Sequence, residues 1–504
     1  MNAADWIFTI LFYVNLVMVA IVTISFVPQF LFYLFFFLKR RHFKEVEPQK
    51  RFAVLVCAHN EGDVIEKTVR HLVEEMNYPK ELYKVYVCAH NCTDDTVEKA
   101  RRAGAIVYEY HDDDPKHAMV SYPMRYALRR ILQEDKEAEV FVRADADNIF
   151  HPDYLRRMNN AIVEGCKIVR GYEASSNLKQ NLWTQQSGIF YYKDSRVQNT
   201  FRQAINSTAM STSPGLTFTR DVVERMDGWD CMTAAEDAEF CFRRLEDGYK
   251  IYFNTDAIVY EDQPSSFKDT FNRLVRLGHS LNRLFFTDGW RMVKMFFKTG
   301  KPMYLDMLLQ IAFNPVSVIC FIWFPIYYIA YAICMLMQSA GVHVFTLSYF
   351  QMTAAGTIDP GISDAFAQLS NCGVQSIIDL LVMAAQVIVS LYLFCVIQSF
   401  LAVYLDRRKN GLDDRLTGMW KGILLSPLFT FVYGICNCLG CVTKLRWKVA
   451  KRNPSSQKIL LPLPEKPKKI WYFTLSEKEK RRYARMVEKT LAKEKARKEK
   501  AAQG

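Results

Sequence analysis

The chain has 504 residues, half of them apolar and 14% aromatic, and a net charge of +12. That length holds one large domain or two with ample core. The charge is local: from Lys444 onward there are twenty Lys and Arg against six Asp and Glu, so the rest of the chain is slightly acidic. A basic face for nucleic acid in the folded part is thereby excluded.

Asp5 aside, the first 38 residues carry no charge, and Lys39-Arg40-Arg41 follows them. This run is longer than the apolar core of a signal peptide, and no small-residue cleavage site follows it. About 20 apolar residues cross a bilayer, so the run predicts a transmembrane helix over residues 6–38. The basic end places the following domain in the cytosol.

Residues 52–260 change character. Short apolar runs at 52–59, 84–90, 105–111, 140–143 and 167–174 predict strands. Helical spacing covers 62–76, 123–133 and 152–165, and a further helix starts at Asp94, with Thr93 as N-cap and Gly104 at its end. Strands alternating with helices predict an α/β domain with a mostly parallel sheet. In such sheets ligands bind beyond the carboxyl ends of the strands. Those ends are polar here: His59-Asn60-Glu61, His90-Asn91-Cys92-Thr93-Asp94 and Asp145-Ala146-Asp147. Two carboxylates flanking one small residue suit a hard divalent cation, Mg²⁺ or Mn²⁺, that shares its shell with substrate phosphates. They also suit a plain polar turn.

Residues 265–298 mix Phe and Leu with Lys and Arg, a pattern for amphipathic helices at a membrane surface or for an ordinary packing helix. Arg273 and Arg276, spaced i, i+3, share a helix face there. Residues 306–406 contain neither Lys nor Arg. Within them two spans are predicted, near 315–337 and 376–404, with residues 338–375 outside. Residues 420–442 are apolar but interrupted by Pro427, Gly434 and Gly440, which predicts a bent or re-entrant segment. The thirteen Cys lack framework spacing, and Cys57, Cys88, Cys92, Cys166, Cys231 and Cys241 of the central domain are expected to be reduced thiols. Cys436, Cys438 and Cys441 read as membrane packing rather than metal ligands. After a Pro-rich linker, Ser476 and Glu479 form a capping-box pattern before a Lys/Glu/Arg-rich helix. That helix is expected to be solvated or held to anionic lipid. The organisation expected is thus 1–41, an N-terminal transmembrane helix; 50–262, the α/β domain; 263–302, interfacial helices; 303–443, a second membrane region; and 444–504, a basic cytosolic tail.

Several ordered motifs now coincide: VCAHNEGDVIEKTVRHL at 56–72, CAHNCTDDT at 88–96, Lys116, RADADNIFHPDYL at 143–155, SPGLTFTR at 213–220, GWDCMTAAEDAEF at 228–240 and RLVRLGHS at 273–280. Together they resemble the membrane-embedded family 2 glycosyltransferases, the group that includes cellulose, chitin and hyaluronan synthases. The resemblance implies a GT-A nucleotide-binding domain and an inverting transfer from a UDP-sugar to a growing β-linked glycan, or of a single sugar to a lipid. Export or regulatory subunits are conceivable partners. It also implies roles. Asn60 and Glu61 contact the nucleoside. Asp145 meets ribose or metal, and Asp147 ligates Mg²⁺ or Mn²⁺ on the diphosphate. Lys116 neutralises phosphate. Arg273 and Arg276 close over the diphosphate or the acceptor. Asp237 is the base, with Glu236 its rival. A base must take the acceptor proton, and the start of a helix keeps a carboxylate ionised there. Three positions depart from the pattern. Leu277 replaces the Trp that follows the second Arg. Ala89-His90 replaces the paired Asp after the second strand, leaving base recognition to His90 or Asn91. Ala235 replaces the Thr before Glu236-Asp237.

Overall fold

The computed structural model describes residues 3–34, 42–211, 214–339, 373–443 and 475–502. The basic residues 39–41, the 340–372 part of the outer segment and the Pro-rich linker lie outside the described residues.

An eight-stranded sheet in the order β3-β2-β1-β4-β7-β6-β8-β5 forms the centre. Its strands are β1 (Phe52–Ala58), β2 (Tyr83–His90), β3 (Ile106–Tyr110), β4 (Val140–Asp145), β5 (Ile149–Phe150), β6 (Ile168–Ser175), β7 (Thr217–Thr219) and β8 (Ile251–Glu261). β1, β4 and β6 are buried along nearly their whole length, as strands covered on both faces are. The helices that accompany them are α2 (Ile65–Arg70), α3 (Thr96–Arg102), α4 (Ser121–Glu134), α5 (Tyr154–Val163), α6 (Leu182–Lys193), α7 (Thr200–Ala204), α8 (Arg220–Arg225) and α9 (Glu236–Glu246), with α1 (Ala3–Leu34) ahead of the domain.

β3, β2, β1 and β4 are parallel, and Cys57 stands level with Cys88 on one side and Asp145 on the other. The carboxyl ends of β1, β2 and β4 therefore open onto one edge. β7 pairs antiparallel with both β4 and β6, and β8 runs parallel to β6. β6 and β8 thus end on that same edge, with Ser175 level with Glu261. The five expected strands are all present. β5, β7 and β8 add to them and make the sheet mixed rather than mostly parallel. β5 and β7 are too short to carry a periodicity of their own.

Beyond the sheet, Phe267–Thr299 forms one continuous amphipathic helix, α10, where two or more were expected. It is capped at Ser266, whose side chain accepts from Asp269 N, and it ends at Gly300 in the left-handed region. Then come α11 (Met303–Val318), α12 (Phe324–Ser339), α13 (Gly373–Leu405), α14 (Trp420–Leu424), α15 (Ser426–Val442) and α16 (Glu477–Ala502). Three stretches, Thr9–Val27, Met303–Ile333 and Ala384–Leu405, are long and apolar enough to cross a membrane.

The segment 420–442 departs from expectation. Its break falls at Leu425, between α14 and α15, and α15 runs on through Gly434 and Gly440. Pro427 sits in the first turn, where its missing N–H costs nothing. The glycines are contact points. A Cβ on Gly440 would stand 2.6 Å from His279 N, and one on Gly278 2.9 Å from Asn437 Cα. The absence of side chains lets α10 and α15 meet backbone to backbone, as small residues do at membrane-helix crossings. Around this crossing Leu274, Phe429, Tyr433 and Cys436 form an apolar cluster, so Cys436 is a packing residue. Tyr433 donates to Asn314 Oδ1 at 2.7 Å, and Asn437 donates to Ser317 Oγ at 3.0 Å. On the other side, Gln185 and Gln186 of α6 donate to the carbonyls of Gly418 and Gly422 at 2.9 and 3.0 Å. The apolar helices and the α/β domain thus share polar contacts.

The tail helix α16 is not simply solvated. The capping box closes at Ser476 and Glu479, and Tyr483 is buried against Tyr252, hydroxyl to hydroxyl at 3.0 Å.

Replacing Gly440 by Val forces α10 and α15 apart. The variant should lose about 1–3 kcal/mol of stability, read as a lower unfolding temperature in detergent.

Candidate active site

The edge where β1, β2, β4 and β8 end opens into a cavity of about 2220 Å³. Its walls include Cys57, His59 and Glu61 after β1, His90 and Asn91 after β2, Asp145 after β4, Glu236 and Asp237 of α9, and Arg273 and Arg276 of α10. It continues between α1, α11, α13 and α15, past Phe26, Phe313, Phe321 and Phe431.

Arg143 is the organising group, and sequence reading assigned it no role. Its neighbours in β4 are apolar and buried, and it is only 4% exposed. A guanidinium so placed needs a partner. Its Nη2 donates to Glu236 Oε1 at 2.7 Å and stands 3.9 Å from Asp145 Oδ1. Trp229, itself fully buried and stacked on Phe240, lies 5.9 Å from the guanidinium. Burial, with Asp237 beside it, raises the Glu236 pKa against the opposing pull of Arg143. Burial likewise pushes the Cys57 thiol up to about 12, so it is no nucleophile. Glu239 faces away from the cavity, holding Arg243 at 2.7 Å and Thr233 N at 2.9 Å.

Glu236 and Asp237 open α9, where the helix dipole favours negative charge. Asp237 Oδ1 accepts from Ala238 N at 2.8 Å. The two carboxylates differ in situation: Glu236 is tied to Arg143, while both line the cavity.

The remaining expected residues divide. Asn60 is not on the cavity wall. Its backbone is left-handed at φ 52°, and its Oδ1 accepts from Thr93 N at 2.8 Å, so it staples the loop after β1 to the loop after β2. Asn91, also left-handed, lines the cavity and exchanges hydrogen bonds with Asp112, 2.7 Å to its carbonyl and 2.9 Å from its N–H. Glu61 lines the cavity, its N–H donating to Thr96 Oγ1 at 2.9 Å. His90 lines it too; its Nε2 is buried without a hydrogen-bond partner among the described residues. Burial and the neighbouring His59 lower its pKa, so the ring is neutral near pH 7. The Lys116 side chain lies outside the described residues.

Arg273 is locked in place. Its Nη2 meets Glu261 Oε1 at 3.1 Å and donates to the Tyr191 hydroxyl, and its Nη1 donates to Gln263 Oε1 at 3.1 Å. Arg276, one turn on, faces the cavity. Burial and Arg273 lower its pKa, while Glu236 and Asp237 oppose that shift. Glu261, Tyr191 and Gln263 are thus site residues that sequence reading did not mark. Tyr191 is 82 positions from Arg273 and in no quoted motif.

The Asp pair is separated by the turn. Asp145 lines the cavity, whereas Asp147 is 2% exposed and does not. Among the described residues, no group of three or more His, Cys, Asp or Glu side chains is placed to hold a metal. The donor set still fits a cation that takes one or two carboxylates and completes its shell with phosphate oxygens and water, as Mg²⁺ does.

Residues 48–279 match the family model described as glycosyltransferase like family 2. A curated relative, probable glycosyltransferase YdaM of Bacillus subtilis (strain 168), is 27% identical over 255 residues, 45% of this chain and 54% of that protein. The chain therefore aligns with about half the length of that relative. Among solved structures, the mannosyltransferase PcManGT from Pyrobaculum calidifontis, in complex with GDP-Man and Mn²⁺, superposes with a TM-score of 0.44 at 17% identity, over 72% of this chain and 97% of that one. S. aureus TarS 1–349 in complex with UDP-GlcNAc gives 0.33 at 16%, over 56% and 87%. The expected GT-A α/β domain, with apolar helices before and after it, is the fold the chain forms.

Arg143→Met leaves Glu236 buried without its partner. The variant should lose about 3–5 kcal/mol at neutral pH. Without Arg143 the folded-state pKa of Glu236 rises further above its unfolded value, so the carboxyl protonates more readily in the folded state. The deficit against wild type should therefore shrink as pH falls towards about 4 and grow as pH rises. Denaturant titrations at several pH values measure it; a deficit independent of pH would remove Glu236 as the cause.

Proposed function

Because residues 48–279 match the model described as glycosyltransferase like family 2, we propose that this protein transfers a sugar from a UDP-sugar, with inversion, to an acceptor that enters the cavity from the apolar helices. The carrying observation is the cavity itself. It joins the sheet edge, where a nucleotide would sit, to the space between α1, α11, α13 and α15. The basic residues 39–41, next to the first apolar run, support a cytosolic position for the α/β domain.

Each residue has a task in this reading. His90 and Asn91 take the base; the neutral His90 ring offers an unpartnered Nε2 to a base edge. Glu61 faces the nucleoside, and Asn60 shapes that wall from behind. Asp145 would hold a divalent cation, with Asp147 as the second candidate ligand. Mg²⁺ or Mn²⁺, when bound, would supply positive charge to the departing diphosphate. Arg276 adds a fixed cation in a site shielded from water, where such charge is worth most. Arg273 holds Tyr191, Glu261 and Gln263 together as that wall. Asp237 takes the proton of the acceptor hydroxyl. Glu236 is spent on Arg143, which leaves Asp237 as the base. Displacement from the face opposite the diphosphate turns an α-linked donor into a β-linked product.

Two acceptors were expected from the sequence, a growing glycan and a lipid. The geometry favours the lipid. Ile388 and Leu391 of α13 and Leu428 and Phe431 of α15 line the cavity and are each more than half exposed on the apolar side. Among the described residues the cavity thus opens sideways towards the bilayer. Leu277, where a polymerase-like Trp was expected, lies on its wall. The glycan reading is supported by Gln310, Asn314 and Tyr433 interleaved with aromatic rings along the same cavity.

Incubating membranes with labelled UDP-glucose, UDP-N-acetylglucosamine or UDP-glucuronate should transfer label to an organic-extractable product. EDTA should abolish transfer, and Mn²⁺ or Mg²⁺ should restore it. Asp237→Asn should lower kcat by about 10²–10⁴ with donor affinity nearly unchanged; transfer at the wild-type rate would remove Asp237 as base. Label in a water-insoluble polymer would favour the glycan. His90→Ala should raise the donor KM about tenfold with little change in kcat, the pattern of lost ground-state binding.

A further inference from the structure

One cation on the cavity wall has no task in the transfer just described. Lys193 is the last residue of α6, and its side chain lines the cavity. Tyr191, two residues earlier, is held by Arg273, and Asp194, the next residue, is held by Arg170 at 2.6 Å. Both neighbours are therefore committed. Lys193 makes no hydrogen bond or ion pair among the described residues. The ionisable group it senses is the Cys395 thiol of α13, and burial lowers its pKa. Its fellow cavity cations are otherwise engaged: Arg143 with Glu236, Arg273 with Glu261, while Lys268 is exposed to solvent.

An ammonium drawn into such a wall is costly unless it is paired. Among apolar helices an ionisable residue of this kind marks a ligand site. The surroundings define the ligand. Around Cys395, α13 presents Leu391, Phe394 and Gln398 to the cavity, and α1 presents Val22 and Phe26. The lateral opening between α13 and α15 lies on this side. A group that pairs with Lys193 must be anionic, and what it is attached to must be apolar.

We propose that Lys193 is an acceptor-binding residue that pairs with the anionic headgroup of a lipid entering between α13 and α15. This rests on the transfer reading above and names the acceptor class for it: an amphiphile with a phosphate-type anion at the level of Lys193 and its chain against α1 and α13. Lys193 binds the headgroup and takes no part in bond making.

The test uses the full chain in phosphatidylcholine nanodiscs. The amine of Lys193 is labelled with a water-soluble acylating reagent and followed by peptide mass spectrometry. Tetradecyl phosphate should slow labelling of Lys193 at least fivefold, whereas tetradecanol and inorganic phosphate should not. In a direct binding measurement Lys193→Met should weaken tetradecyl phosphate at least tenfold, Lys193→Arg should recover most of that, and all three proteins should bind UDP with Mn²⁺ within twofold of one another. Equal protection by tetradecanol, or by inorganic phosphate, would overturn the anionic-lipid site. So would unchanged affinity in Lys193→Met. Failure of the wild-type protein to bind UDP would instead overturn the transfer reading, so the two failures are distinguishable.

Discussion

The site depends on a buried ion pair. Arg143 of β4 and Glu236 at the start of α9 meet at 2.7 Å, both largely buried. Neither charge would be tolerated there alone. The pair therefore fixes the distance between a strand end and a helix start that are 93 residues apart in sequence. With that distance fixed, Asp145 and Asp237 both line the cavity. The proposed transfer uses one carboxylate for charge stabilisation and the other as a base.

The second constraint is the crossing of α10 over α15. Gly278 and Gly440 remove the side chains that would hold the two helices apart. α10 is thereby pressed against the apolar helices along one part of its length while Arg273 and Arg276 reach the cavity along another. An amphipathic helix thus becomes a wall of the cavity. The hydrogen bonds from α6 to α14 act in the same way on the opposite side. The catalytic domain and the helices share one cavity because both of its side walls are stitched across the junction.

These two constraints explain why the site changes character along its length. Near the sheet edge, charges are paired or face a neighbour of opposite sign, as Arg273 does with Glu261. Towards α13 the wall is mostly apolar, with Lys193 and Gln398 among the residues that line it. A polar half and a mostly apolar half follow from the same cavity passing from the α/β domain to the apolar helices.

Local pattern was enough for much of this. Strands β1 to β4 and β6, the polar strand ends, the apolar spans and the capping box at Ser476 repeat or sit at fixed offsets, and such signals survive in a single sequence. Asp145, Glu236 and Asp237, three of the carboxylates that line the cavity, were legible because they occur in compact motifs. Other features needed the tertiary structure. Short β7 and β5 owe their conformation to neighbours and carry no period of their own. The glycines of α15 read as breaks because a glycine in a sequence does not say whether it bends a helix or admits another. Asn60 read as a ligand contact, yet its left-handed backbone and its bond to Thr93 make it a staple. The roles of Arg143, Tyr191, Glu261 and Lys193 stayed hidden for one physical reason. Whether a charged or polar side chain is paired, buried or waiting for a ligand depends on groups brought from distant parts of the chain. Sequence determined which side chains can carry chemistry and which stretches are apolar enough to cross a membrane. Only the fold decided which carboxylate is held by Arg143 and which lysine lines the cavity beside apolar helices.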